Sequence, residues 1–239
     1  MSPQAILSCA RAVQPLVFET GNPYTPISTA GTGFLVVTAG RGFLITARHL
    51  MGLGDLSPLC IFPTATSRRL IPLRNVFFIP KEQFDDDFSD FAIVEIDVKK
   101  LDLETGEGTA INLEIAEADW LAVRDSSSFT VIGYPLEHSE VDYDNELLTN
   151  RQFVLHGRYT GSAVFRFLHE LQVDDGQGLS DFRGFSGSPV FSWHEYAPDQ
   201  ARITLCGMAV QGGVKSRCVR FIEWQVIAEA IKQKIRIDA

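Results

Sequence analysis

At 239 residues with 45% hydrophobic content, the chain carries enough apolar material to bury most of its unfolded surface, as one large domain or two small ones. A formal net charge of −9 with no compensating basic block excludes a nucleic-acid or anionic-membrane surface, and no apolar run approaches the length of a bilayer span. Cys9, Cys60, Cys206 and Cys218 are scattered without a CxxC pair, and in a chain this long they read as free, mostly buried thiols of a reducing compartment. The N-terminus, MSPQAILSCARAVQPLVFE, has no basic n-region and is interrupted by Arg11 and Pro15, so it does not read as a signal peptide; the expected location is cytoplasmic.

In chain order, the first half offers short strands rich in Val, Ile and Phe and punctuated by Gly, Pro or Asp: AVQPLVF, GTGFLVVT, RGFLITA, LCIFP, NVFFIP and DFAIVEID. TAGRG at 38–42 reads as a hairpin turn. A polar stretch, LDLETGEGTA through AVRDSSS, divides the chain near residues 100–128. A second series follows: SFTVIGY, RQFVLHGRY, SAVFRFLHEL, SPVFSW, RITLCGMAV and SRCVRFI, with YTGS at 159–162 as a turn. Cys206 and Cys218 fall on the last two of these, where a hairpin can bring them face to face; spacing leaves that open. Only EWQVIAEAIKQKI has helical spacing, with Val226, Ile227, Ala230, Ile231 and Ile235 on one face. The expected architecture is all-β: two six-stranded antiparallel β-barrels, residues 1–118 and 119–239, and a C-terminal helix.

RGFSGSPVF at 183–191 concentrates backbone freedom around one serine. Gly184, Ser186, Gly187, Ser188 and Pro189 come almost in a row, more than a plain turn requires. Such a bend can expose the Ser186 hydroxyl and leave bare N–H groups beside it. A serine nucleophile needs a base, and the base needs an orienting group. Of the five histidines, His156 and His169 sit inside strand patterns, and His138 and His194 lie in polar loops. His49 follows the apolar strand GFLIT at the point where it gives way to a turn, in LITARHL. In FDDDFSDFAIVEID, Asp85, Asp86 and Asp87 read as a solvated acidic loop, whereas Asp90 opens an apolar strand and can point into an interface.

GTGFLVV…GFLITARHL, then SDFAIVEID, then GFSGSP resembles, in that order, the chymotrypsin-like (trypsin-like) serine peptidases, particularly the bacterial ones without disulfides. IGYP at 132–135 looks like the opening strand of that family's second barrel, and CGMAVQGG like the strand beside its specificity pocket. The resemblance spans roughly residues 12 to 234. It implies a serine endopeptidase with His49 as general base, Asp90 as its orienting acid and Ser186 as nucleophile. The N–H groups of Gly184 and Ser186 would form the oxyanion hole. Phe185 stands where the digestive members keep an aspartate that pairs with a newly cleaved N-terminus, which argues against activation by trimming. The resemblance places the pocket at Ser180, Asp181 and Phe182, with Val210, Gln211 and Gly212 opposite. Asp181 turned inward would favour Lys or Arg; turned outward, it would leave a pocket for small or medium apolar side chains.

An α/β-hydrolase is not supported, because the residue two after Ser186 is Ser188 and Pro189 leads into a strand. No HExxH or comparable spacing points to a metal, and no organic cofactor is implied. The expected partners are a protein or peptide substrate and an activating or target protein. The competing reading is the same fold kept as a catalytically silent or latent protein-binding module.

Overall fold

The computed structural model describes residues 9–52, 59–62, 69–79, 90–97, 99, 110–113, 119–142, 147–163, 167–174, 178–197 and 200–238. Its strands are β1 (Val13–Glu19), β2 (Ile27–Thr38), β3 (Arg41–Thr46), β4 (Leu59–Ile61), β5 (Ile71–Pro72), β6 (Val76–Phe77), β7 (Ala92–Ile96) and β8 (Ile111–Asn112) in the first half. The second half holds β9 (Ser128–Gly133), β10 (Ser139–Asp142), β11 (Leu147–Asn150), β12 (Phe153–Ser162), β13 (Leu168–Val173), β14 (Pro189–Ala197), β15 (Gln200–Gly213) and β16 (Cys218–Glu223). One helix, Trp224–Asp238, closes the chain's described part.

In the second half the strands close into a six-stranded barrel, β12-β13-β16-β15-β14-β9. The first half departs from the expected barrel: its ladders form an eight-stranded sheet, β5-β4-β1-β2-β3-β7-β6 with β8 on β2, that stays open among the described residues. Its ends, β5 and β6, are two residues long, and Pro72 has no N–H to extend the ladder. Nor is the sheet wholly antiparallel. β1 runs out at the pair Val13–Phe34, and β8 takes the next stretch of β2 in parallel, at Val36 and Val37.

Local chemistry explains most of these elements. The β2–β3 hairpin turns on Ala39 and Gly40, at φ 47° and 73°, the left-handed pair that matches the twist of the flanking strands. YTGS does not turn the chain: residues 159–162 continue β12 across a bulge between Tyr159 and Gly161. The hairpin β10–β11, Ser139–Asp142 with Leu147–Asn150, was not expected, since SEVD and LLTN show no sustained alternation. Cys206 and Cys218 lie near opposite ends of the β15–β16 pair, Cys218 facing Gly213 and Gly207 facing Glu223, so no hairpin brings them together. All four cysteines are free.

Period-two alternation sorts the barrel residues into two cores. Val131, Leu171, Val173, Val190, Ala209, Val219 and Phe221 fill the barrel with Phe129 and Trp120. Their neighbours Ile132, Phe191, Met208 and Ile222 point the other way, into a core shared with Phe34, Phe43 and Ile45 of the first sheet. The C-terminal helix adds Trp224, Ile227, Ala228, Ala230 and Ile231 to that shared core. Both halves therefore meet across β2, β9 and β14. Among the described residues, no helix is long and apolar enough to cross a membrane.

Candidate active site

β3 ends at Thr46, and the chain enters a one-turn 3-10 helix, Arg48–Gly52, that carries His49. Asp90 stands two residues ahead of β7, the neighbour of β3, and grips the turn at three points. The Arg48 N–H donates to its carbonyl at 3.3 Å. The His49 N–H donates to Oδ1 at 3.0 Å, and His49 Nδ1 lies 2.7 Å from Oδ2. An ionised carboxylate only accepts, so Nδ1 carries the proton and Nε2 keeps its lone pair. The imidazole is half exposed, at 47%, against 26% for the carboxylate, so the free edge of the ring is the one that faces solvent. Asp85, Asp86 and Asp87 lie outside the described residues.

Ser186 sits on the bend between the barrel's Phe182–Phe185 segment and β14. Gly184 and Gly187 hold φ of +95° and +87°, and a side chain at either would collide with fixed backbone: the Tyr134 carbonyl at Gly184, the Thr32 carbonyl at Gly187. The carbonyls of residues 183–186 all have donors. Arg183 O accepts from Leu136 N at 2.9 Å, Gly184 O from Thr32 Oγ1 at 2.6 Å, Phe185 O from Ser188 N at 2.9 Å, and Ser186 O from Thr32 N at 3.2 Å. In a trans peptide the N–H points opposite to the C=O. Fixing Arg183 O and Phe185 O therefore fixes the N–H groups of Gly184 and Ser186, and neither finds an acceptor among the described residues.

The two strand ends converge on β2. The Leu50 side chain, next to His49, and the Ser186 carbonyl both lie against Gly31, and Thr46, three residues before His49, lies against Gly187. The Ser186 hydroxyl itself donates to the carbonyl of Val210 at 3.3 Å. Val210 is the extra residue of a bulge between the pairs Ala209–Phe221 and Gln211–Arg220, which frees its carbonyl from the ladder. No hydrogen bond joins Ser186 to His49 among the described residues. Ser188, the other serine of the motif, is fully buried, and its backbone rather than its hydroxyl closes the turn.

The residues assigned to the pocket divide into two groups. Val210, Gln211 and Gly212 do run along β15 beside Ser186, and Phe182 is buried with its ring against Gly212 and 5.9 Å from the Phe185 ring. Ser180 and Asp181 are committed elsewhere. Ser180 donates its N–H to both oxygens of Glu137, at 2.8 and 3.1 Å, and its hydroxyl to the same carboxylate. Asp181 accepts from Arg183 N at 2.8 Å and pairs with Arg183 Nε at 2.7 Å. Gln211 accepts from Arg220 Nη1 at 3.2 Å. Phe185 is buried at 3% exposure, an apolar anchor for the bend. Sequence reading passed over Thr32 and Glu137. The only local hint for Thr32 was a hydroxyl between two glycines, and Glu137 gave none.

No family model and no curated protein matches this chain. Among solved structures it is similar to one described by the words "Aromatic interactions drive the coupled folding and binding of the intrinsically disordered Sesbania mosaic virus VPg protein", with 17% identity, a TM-score of 0.48, and coverage of 91% of this chain and 94% of that one. No group of three or more His, Cys, Asp or Glu that could hold a metal ion occurs among the described residues.

Proposed function

We propose that the chain is a cytoplasmic serine endopeptidase of the chymotrypsin-like kind, with the open first sheet as the counterpart of that family's first barrel. The observation that carries this reading is the double engagement of His49 by Asp90, through ring and backbone, beside a serine flanked by two unengaged N–H groups. Ser186 Oγ attacks the peptide carbonyl while His49 Nε2 takes its proton. Asp90 keeps the Nδ1–H tautomer and offsets the imidazolium charge. The oxyanion lies between the N–H groups of Gly184 and Ser186. Collapse breaks the C–N bond, His49 returns the proton to the leaving amine, and water releases the acyl group by the same steps in reverse.

A specific observation favours a second form of this reading, an enzyme at rest until substrate or a partner protein arrives. The Ser186 hydroxyl is held by the Val210 carbonyl and must leave it to reach His49. The test is cleavage of a diverse peptide library by the pure chain. Internal cleavage that disappears in Ser186→Ala and in His49→Ala is the expected result. Cleavage that persists in Ser186→Ala would reject the assignment.

A further inference from the structure

The residue that spans the two halves at the bend is Thr32. It is fully buried and stands on β2 one residue beyond the end of the β2–β3 ladder, whose last pair is Gly33–Thr46. Its backbone is thereby released from β3, and every polar atom it carries is used. Its N–H donates to Ser186 O at 3.2 Å, and its carbonyl accepts from Thr46 Oγ1 at 2.7 Å. Its hydroxyl donates to Gly184 O at 2.6 Å and accepts from Tyr134 N at 2.9 Å.

These bonds act on one small piece of backbone. Tyr134 N–H and Leu136 N–H belong to the same segment after β9, and Leu136 holds Arg183 O while Thr32 holds Gly184 O. The two peptide planes on either side of Gly184 are thus tied to different elements, one to the barrel's own loop and one to the first sheet. A hydroxyl can do this because it donates and accepts at once. We infer that Thr32 is a positioning residue of the oxyanion hole: from the opposite half of the molecule it holds the Gly184–Phe185 peptide plane and, through the Tyr134 N–H, the segment whose Leu136 N–H fixes the plane carrying the Gly184 N–H. The inference rests on the peptidase reading and deepens it.

Valine keeps the branched shape but leaves Gly184 O and Tyr134 N–H without this partner, so the Gly184–Phe185 plane and the Tyr134–Leu136 segment both lose their tie to the first sheet. Serine keeps the hydroxyl. The experiment measures the rate at which a fluorophosphonate labels Ser186 as probe concentration is raised, in the full chain. Thr32→Val is expected to lower the maximal rate by about 10²-fold with the half-saturating concentration unchanged, the cost of a misplaced catalytic group. Thr32→Ser is expected to stay within about threefold of wild type, well under the 1.4 kcal/mol that a factor of ten represents. If Thr32→Val does not fold, Thr32→Ala makes the same comparison. Wild-type rates in a folded Thr32→Val or Thr32→Ala, or a Thr32→Ser as slow as Thr32→Val, would overturn the role of Thr32 while leaving the peptidase reading intact. A wild-type chain labelled no faster than Ser186→Ala would overturn both.

Discussion

Asp90 does two things for His49 that a single hydrogen bond would not: it fixes the ring's tautomer through Nδ1 and the turn's backbone through the His49 N–H. Asp90→Asn can present an amide N–H in place of an acceptor oxygen, so Nδ1 accepts and the proton moves to Nε2, the wrong tautomer; turnover of an activated ester is expected to fall by about 10⁴ with the fold unchanged. A loss below tenfold would mean that the carboxylate serves only the turn. Asp181 is already paired with its neighbour Arg183, so Asp181→Ser should leave the ranking of matched Arg, Leu and Ala peptides unchanged, with the apolar ones preferred. An Arg preference that vanishes in Asp181→Ser would bring that carboxylate into the pocket. His49, Asp90 and Ser186 were legible because each ends or opens a strand pattern with few rivals of its type. Thr32 and Glu137 were not, because a hydroxyl or carboxylate takes its partner from the fold, and here the partners lie up to 152 residues away.

At the scale of elements, the C-terminal helix is pinned to the first sheet by charge as well as by its apolar face. Arg41, at the start of β3, forks onto Glu95 of β7 at 2.8 and 2.7 Å and reaches Asp238 at 2.5 Å, and Lys234 holds the same Asp238 from one turn earlier. Lys234 and then Arg41 hold the Asp238 carboxyl below the usual range. A carboxylate whose folded value is depressed stabilises the fold above its unfolded value and loses that contribution as pH falls through the folded one. Arg41→Ala is therefore expected to lower the melting temperature by about 2 °C at pH 7. The gap from wild type should close below about pH 4, where carboxylates protonate. A gap that persists unchanged at pH 2 would assign the effect to the Arg41 guanidinium over the Phe43 ring. The helix was legible from its period, and most long strands from Val-, Ile- and Phe-rich runs bounded by Gly, Pro or Asp. β5 and β8 were not, since two residues carry no periodicity, and YTGS misled because a bulge glycine and a turn glycine look alike in sequence.

Across the whole molecule, the shared core and the Thr32 bonds pack the barrel and the open sheet against each other. Closure of a barrel depends on which distant edges meet, and strand count alone does not encode it; the second half closes and the first stays open among the described residues. Burial pushes the thiols up, Cys206 to about 12 and Cys9 and Cys218 to about 11, which keeps them as unreactive thiols. Thiol titration without reductant should give all four only after unfolding, and a deficit in denaturant would reveal a disulfide. The measurement that bears most directly on the account is peptide mapping of the folded chain after reaction with a fluorophosphonate. The account predicts one adduct, on Ser186, lost in His49→Ala; an adduct on Ser188 or any other serine, with Ser186 unmodified, would contradict it.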